Sequence, residues 1–167
     1  MKNVSLVALI GLSAIVGCST SQAEEPLLGN AVKPAPGVVA AGRLKEDDVA
    51  RLQKAGIRHV IDLTLDAETP DFDEAQAVRS AGIGYSNLPL RGAPDLTREN
   101  VVAFDELIRN AERPVLVHCS SANRVGAIAA LRAAWIDGKS EEEAIAVGKA
   151  WGLRALEADV RERIRSP

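Results

Sequence analysis

The run from Pro114 to Trp135, PVLVHCSSANRVGAIAALRAAW, constrains the fold more than any other stretch of the chain. Val115, Leu116 and Val117 follow Pro114 without polar alternation, the pattern of a strand covered on both faces. The strand ends in His118 and Cys119. A short polar loop, Ser120 to Asn123, then leads through Arg124, Val125 and Gly126 into an Ala-rich helical pattern. A buried strand that feeds directly into a helix is a building unit of a parallel sheet.

The rest of the chain repeats that alternation. GVVAAGRL (37–44) reads as a short strand and turn. KEDDVARLQKAG (45–56) reads as a helix, with Val49 and Leu52 at helical spacing, acidic residues in the first turn and Gly56 as a stop. IRHVIDLTL (57–65) is a buried strand. TPDFDEAQAVRSAG (69–82) is a helix with Pro70 near its start and Gly82 after it. IGYSNLPL (83–90) is the next strand, and GIGYSN (82–87), which overlaps it, is a turn into that strand rather than a nucleotide loop, because no helix follows. DLTRENVVAFDELIRN (95–110) is a helix capped by Thr97, and RPVLVHC (113–119) is the last strand. Three helical stretches close the chain, over 125–138, 140–152 and 154–164. Ser140 with Glu143 forms a capping box in front of the second. The pattern predicts an α/β fold: a single three-layer domain over residues 37–167 with a mainly parallel sheet. In such sheets ligands bind at the carboxyl ends of the strands, which is where Cys119 falls.

The first 36 residues have a different character. Lys2 precedes an apolar run, Val4 to Val16, that is short for a bilayer span and suits a signal peptide. IVGC then reads as a lipobox. Residues 1–17 are expected to be a lipoprotein signal peptide, Cys18 the lipidated residue, and 18–36 a polar, Pro-rich tether. Ser19 after the cysteine favours the outer membrane, by similarity to lipoprotein sorting signals. The expected location is therefore the bacterial cell envelope, with membrane contact through the N-terminal lipid alone, facing the periplasm. The formal charge of −3, and aromatic residues at 3%, argue against nucleic acid as a partner.

Lipid on Cys18 leaves Cys119 without a partner, because the chain has two cysteines. An unpaired thiol in an oxidising compartment is either a small buried hydrophobe or a working nucleophile. Two cysteines and two histidines, His59 and His118, are too scattered for a zinc site, and no metal or cofactor is expected. A helix starting near Arg124 points its free N–H groups and positive dipole end at Cys119. The backbone of Ser120, Ser121, Ala122 and Asn123 can curl into an anion cradle. Both effects favour the thiolate. Arg124 adds a planar fork for two oxyanion oxygens, and Gly126 allows the helix to approach the strand closely. Nucleophile, cradle and clamp together suit attack on phosphorus or on a sulfane sulfur.

The strand, His-Cys, loop, Arg and helix resemble the cysteine-dependent protein tyrosine and dual-specificity phosphatases. Most of residues 37–155 shares the resemblance. VVAAGRL, DVARLQKAGIRHVIDL, AGIGYSNLPL and SEEEAIAVGKAWGL are similar to the bacterial β-lactamase-hydrolase-like phosphatase branch. The resemblance implies a protein-tyrosine-phosphatase-like fold and a phosphorylated or other oxyanionic substrate. It implies Cys119 as nucleophile, Arg124 as phosphate-binding arginine and His118 as the histidine that tunes the cysteine. The general acid would be Asp95, the one carboxylate in RGAPDLT (91–97); the competing role for Asp95 is a helix cap. Two departures stand out. Four residues separate Cys119 from Arg124 where the phosphatases have five, and Ala122 stands where they usually have glycine. Asn123 is expected to supply the left-handed conformation in place of that glycine. The shorter loop is typical of rhodanese-type sulfurtransferases, which carry a persulfide on cysteine. Three functions stay open: a phosphomonoesterase with a cysteinyl-phosphate intermediate, a sulfurtransferase, and a catalytically silent anion-binding domain.

Overall fold

A computed structural model of the protein describes residues 27–166. The signal stretch, Cys18 and the first part of the expected tether lie outside these described residues. Five strands form one sheet in the order β1-β2-β5-β3-β4, where β1 is Val32–Ala35, β2 Val38–Ala41, β3 His59–Asp62, β4 Gly84–Asn87 and β5 Val115–His118. Strands β2 to β4 and β5 pair in parallel, and β1 pairs antiparallel with β2 at one edge. The strand β1 lies inside the segment expected to be tether. Its sequence, VKPA, is too short and too rich in proline to signal a strand, and only pairing with β2 makes it one.

Alternation across the sheet divides the core in two. Val115 and Val117 of β5 join Ile61, Phe104, Ile128 and Leu131 on one face, while Leu116 joins Val60, Leu52 and Val78 on the other. The helices α1 (Glu46–Lys54) and α2 (Glu74–Ser80) cover the second face. The first face carries α3 (Arg98–Asn110), α4 (Asn123–Trp135) and the C-terminal pair α5 (Glu141–Ala150) and α6 (Glu157–Arg165). The α3 helix buries Val101, Phe104 and Ile108, one stripe at helical spacing. The α4 helix is buried nearly all round, which explains its run of alanines: helices can approach it from several sides.

The start of α2 and the connection before it differ from the sequence reading. The α2 helix begins after Asp73, whose side chain accepts the Gln76 N–H at 2.9 Å, so Pro70 lies upstream of the helix rather than in its first turn. A 3-10 turn, Asp66–Glu68, fills part of the connection from β3. Elsewhere the caps act as read: Thr97 accepts from the Asn100 N–H, and Ser140 and Glu143 form the capping box of α5.

Candidate active site

Four loops meet at the carboxyl edge of the sheet. Cys119 follows β5, Arg43 follows β2, the segment Leu63 to Glu68 follows β3, and Leu90 to Asp95 follows β4. The register explains the convergence, because Ala41 and Asp62 both align with His118 on the central strand.

Cys119 is fully buried and lies on the α4 side of the sheet. Its N–H donates to the Ala41 carbonyl at 3.4 Å, and the Arg43 N–H donates to the Ser120 carbonyl at 3.2 Å, so the loop is stitched to the end of β2. Ser121 continues this as an isolated bridge to Gly42. The left-handed residue is Ala122, at φ 64°, and not Asn123. Asn123 is already the first residue of α4, and its side-chain oxygen accepts from the Arg154 and Leu156 N–H groups at 2.8 and 3.4 Å. The turn thus falls on Ala122 itself, three residues after Cys119 and directly before the first residue of α4. No side chain caps the N-terminus of α4, so its positive end is left to the loop. Val125 is buried in the core. Gly126 serves a different approach from the one expected. A Cβ there would lie 2.0 Å from the Leu153 nitrogen and 2.7 Å from the Gly148 carbonyl oxygen. It seats α4 against the α5–α6 connection rather than against a strand.

Arg124 turns back across the loop. Its Nη1 donates to the carbonyls of Leu63 at 3.2 Å and Leu90 at 2.5 Å, and Nη2 to the Ser120 hydroxyl at 2.6 Å. Both terminal nitrogens also bind Glu68: Nη1 to Oε1 and Nη2 to Oε2, each at 2.7 Å. The Ser120 hydroxyl donates to Oε2 as well, and Arg43 approaches that oxygen at 3.9 Å. Arg124 holds the Glu68 carboxyl down at about 2, helped by the Leu65 N–H and Ser120. Reciprocally, Glu68 foremost, and the Cys119 sulfur in addition, favour the charged guanidinium of Arg124. Arg124 and Cys119 are thus brought together as expected. Glu68 and Arg43 were missed. Their one signal in the sequence is position, since both lie just beyond the carboxyl ends of strands.

His118 points to the opposite face, behind the cysteine. Its Nε2 lies 2.7 Å from Glu74 Oε1 and 3.4 Å from Asp62 Oδ1, all three side chains being buried. Its Nδ1 has no hydrogen-bond partner among the described residues. Asp62 is fully engaged: it accepts from the Thr64 N–H and hydroxyl at 2.7 Å each, from Tyr85 at 2.8 Å and from Asn87 at 3.1 Å. Burial, with Asp62 and Glu74 nearby, pushes the Tyr85 hydroxyl far up and keeps it a donor. The ligand atoms of Asp62, Glu74 and His118 lie within 4.8 Å of one another, a spacing a metal ion could bridge. The four donors on Asp62 already use its lone pairs, so the donor set fits a hydrogen-bonded buried pair, His118 with Glu74, better than an ion.

Asp95 sits in a 3-10 turn, Ala93–Asp95, after β4. It accepts from the Arg91 N–H at 2.7 Å and from the Arg91 guanidinium at 2.5 to 3.2 Å. Arg91 holds its carboxyl at about 2. The cap of α3 is Thr97, so the competing role as a helix cap does not fall to the Asp95 side chain.

Comparison with known proteins agrees with this geometry. The family model described as "Beta-lactamase hydrolase-like protein, phosphatase-like domain" matches residues 34–136. A β-lactamase hydrolase-like protein of Xylella fastidiosa is 32% identical over 135 residues, which cover 76% of this chain and 31% of the relative. The chain therefore spans about a third of the length of the curated relatives it matches. Among solved structures, a Neisseria meningitidis protein classed with the phosphatases is 28% identical, covers 81% of this chain and 96% of its own, and has a TM-score of 0.68. TpbA of Pseudomonas aeruginosa, solved with phosphotyrosine, shares the fold at 21% identity, a TM-score of 0.64, and coverage of 81% and 83% of the two chains. By the family match, which takes in β2 through α4 and with them the whole cysteine-arginine loop, this chain belongs to the phosphatase-like domain family of the β-lactamase hydrolase-like proteins.

Proposed function

We propose that the protein hydrolyses phosphomonoesters with Cys119 as nucleophile. The observation that carries this reading is Arg124: two carbonyls at the carboxyl edge of the sheet hold its guanidinium beside the cysteine loop, at the uncapped N-terminus of α4. The Cys119 thiolate attacks phosphorus, an S–P bond forms and the P–O bond to the leaving group breaks. Water then attacks the cysteinyl phosphate, the S–P bond breaks, and inorganic phosphate leaves. Arg124 and the loop N–H groups stabilise the equatorial oxygens as charge builds on them. The buried His118–Glu74 pair orients the end of β5 beneath the nucleophile. The leaving oxygen needs a proton when it is a poor leaving group. Asp95 can supply it once Arg91 has moved away and the carboxyl has gained a proton.

The loop of four residues between Cys119 and Arg124 favours a second reading, persulfide transfer. One side-by-side assay separates the two. The phosphatase reading predicts hydrolysis of an aryl phosphate by the wild-type chain, its loss in Cys119→Ser, and a gain of one phosphate by intact mass in trapped enzyme. Rapid gain of one sulfur from thiosulfate with no ester hydrolysis would replace it with the sulfurtransferase. Turnover of neither, with oxyanion binding intact, would leave a silent binding domain. We also propose that Cys18 anchors the chain to the outer membrane. Labelled fatty acid should enter the wild-type chain and not Cys18→Ala, and equal membrane attachment of the two would exclude the anchor.

A further inference from the structure

The carboxylate of Glu68 fills the guanidinium fork of Arg124. Its two carboxylate oxygens lie on the two terminal nitrogens of Arg124 at 2.7 Å each, the bidentate arrangement that a guanidinium offers to phosphate as readily as to carboxylate. The hydroxyl of Ser120, the residue after the nucleophile, donates to the same carboxylate. Arg43 stands 3.9 Å from Oε2 and also donates to the Glu68 carbonyl. One carboxylate thus lies between two guanidinium groups and a hydroxyl donor. The segment that carries it is a single 3-10 turn with no buried side chain, so it can shift without opening the core. Arg124 does not depend on this contact for its position, because the Leu63 and Leu90 carbonyls already hold Nη1.

We propose that Glu68 is a displaceable stand-in for the substrate: the incoming oxyanion expels its carboxylate from the Arg124 fork, and Arg124 and Arg43 then bind the incoming group together. The proposal deepens the phosphatase reading and rests on it for the identity of the substrate. The Arg43 guanidinium fits the second role. Its side chain is 45% exposed, its backbone N–H is fixed to the Ser120 carbonyl at 3.2 Å, and its guanidinium already faces the carboxylate that would leave, held there by the Glu68 carbonyl. A fixed clamp makes the opposite forecast, since removing it would loosen Arg124 and weaken anion binding.

The test uses inorganic phosphate, titrated by calorimetry into the full chain and into Glu68→Gln and Glu68→Ala. Both variants are expected to bind phosphate about tenfold more tightly, because no resident charge competes for the fork. Arg43→Gln added to Glu68→Gln should take back part of the gain. A second readout needs no variant. The Leu65 N–H donates to Glu68 Oε1 at 3.0 Å, so phosphate should speed hydrogen exchange of the Leu65 amide in the wild-type chain. Equal or weaker phosphate binding by the variants, absence of binding by every form, or unchanged or slower Leu65 exchange would each overturn the proposal. Failure of the phosphatase reading is visible separately, as absence of aryl phosphate hydrolysis while phosphate still releases the Leu65 amide.

Discussion

Ala122 carries a conformation that its side chain disfavours. It is the one non-glycine residue at positive φ among the described residues, in the position where the loop must reverse to start α4. The left-handed region costs an alanine about 1–2 kcal/mol. Ala122→Gly removes that cost, but the more flexible unfolded chain takes back about 0.4–1 kcal/mol. The expected urea midpoint is therefore equal to wild type or slightly higher. Ala122→Val places a β-branched residue where it is a true outlier, beside Gly152, where even an added Cβ would lie 2.7 Å from the Ala122 methyl. We expect it to destabilise by about 2–3 kcal/mol, in the upper range for single substitutions, and an unchanged midpoint would refute the strain. Asp95 supports a second residue-scale prediction. If it donates the proton, Asp95→Asn should slow hydrolysis of alkyl phosphates about 100-fold and of aryl phosphates with good leaving groups far less. Equal slowing of both across a series of leaving groups would confine Asp95 to its ion pair with Arg91.

At the scale of elements, the β1 strand shows how far local sequence can mislead. VKPA has no strand signal of its own, yet it pairs with β2, and Leu28 just before it is buried. Asn30 also accepts the Gly42 N–H at 3.3 Å, beside the bridge to Ser121. A chain begun at Gly37 therefore loses an edge strand, a buried leucine and a brace on the cysteine loop. Burial of Leu28 alone is worth about 1.5–3 kcal/mol. The shortened chain should unfold at clearly lower urea concentration than one begun at Leu27. Coincident unfolding curves would return residues 27–36 to the role of tether. The helices α1, α3 and α5 behave oppositely, because the apolar spacing of Val49 and Leu52 in α1 and the Thr97 and Ser140 caps of α3 and α5 are local signals that the structure follows.

For the whole molecule, the carboxylates at the edge of the sheet give stability a defined pH dependence. Arg124 holds Glu68 at about 2, well below its ordinary 4.5, and Arg91 holds Asp95 at about 2, below its ordinary 3.8. The folded state therefore binds these protons less readily than the unfolded chain does. Their contribution is fully present above about pH 5 and is lost as the pH falls from there through about 2. Both groups are partly open to water, so the contribution of each is modest. Glu68→Gln combined with Asp95→Asn should flatten the fall in melting temperature between pH 5 and pH 2, while leaving the slope above pH 6 unchanged. An acid limb as steep as wild type would place the pH dependence on other carboxylates.

The sequence alone determined the class of fold, the central strand, the nucleophile candidate and the arginine candidate. Each rests on residues close together in the chain: the apolar run of β5, the helix that follows, and four residues between Cys119 and Arg124. Only the tertiary structure decided what faces that loop. Glu68 reaches Arg124 across 56 positions and Ser120 across 52, and Glu74 reaches His118 across 44. No periodicity encodes such contacts, because they follow from strand order: β3 lies beside β5, so the loops after both strands open on one edge. The same holds for Ala122, whose left-handed turn is imposed by a short loop closing between a strand and a helix already fixed by their cores. Local chemistry chose the candidate groups, and packing of distant elements chose their partners.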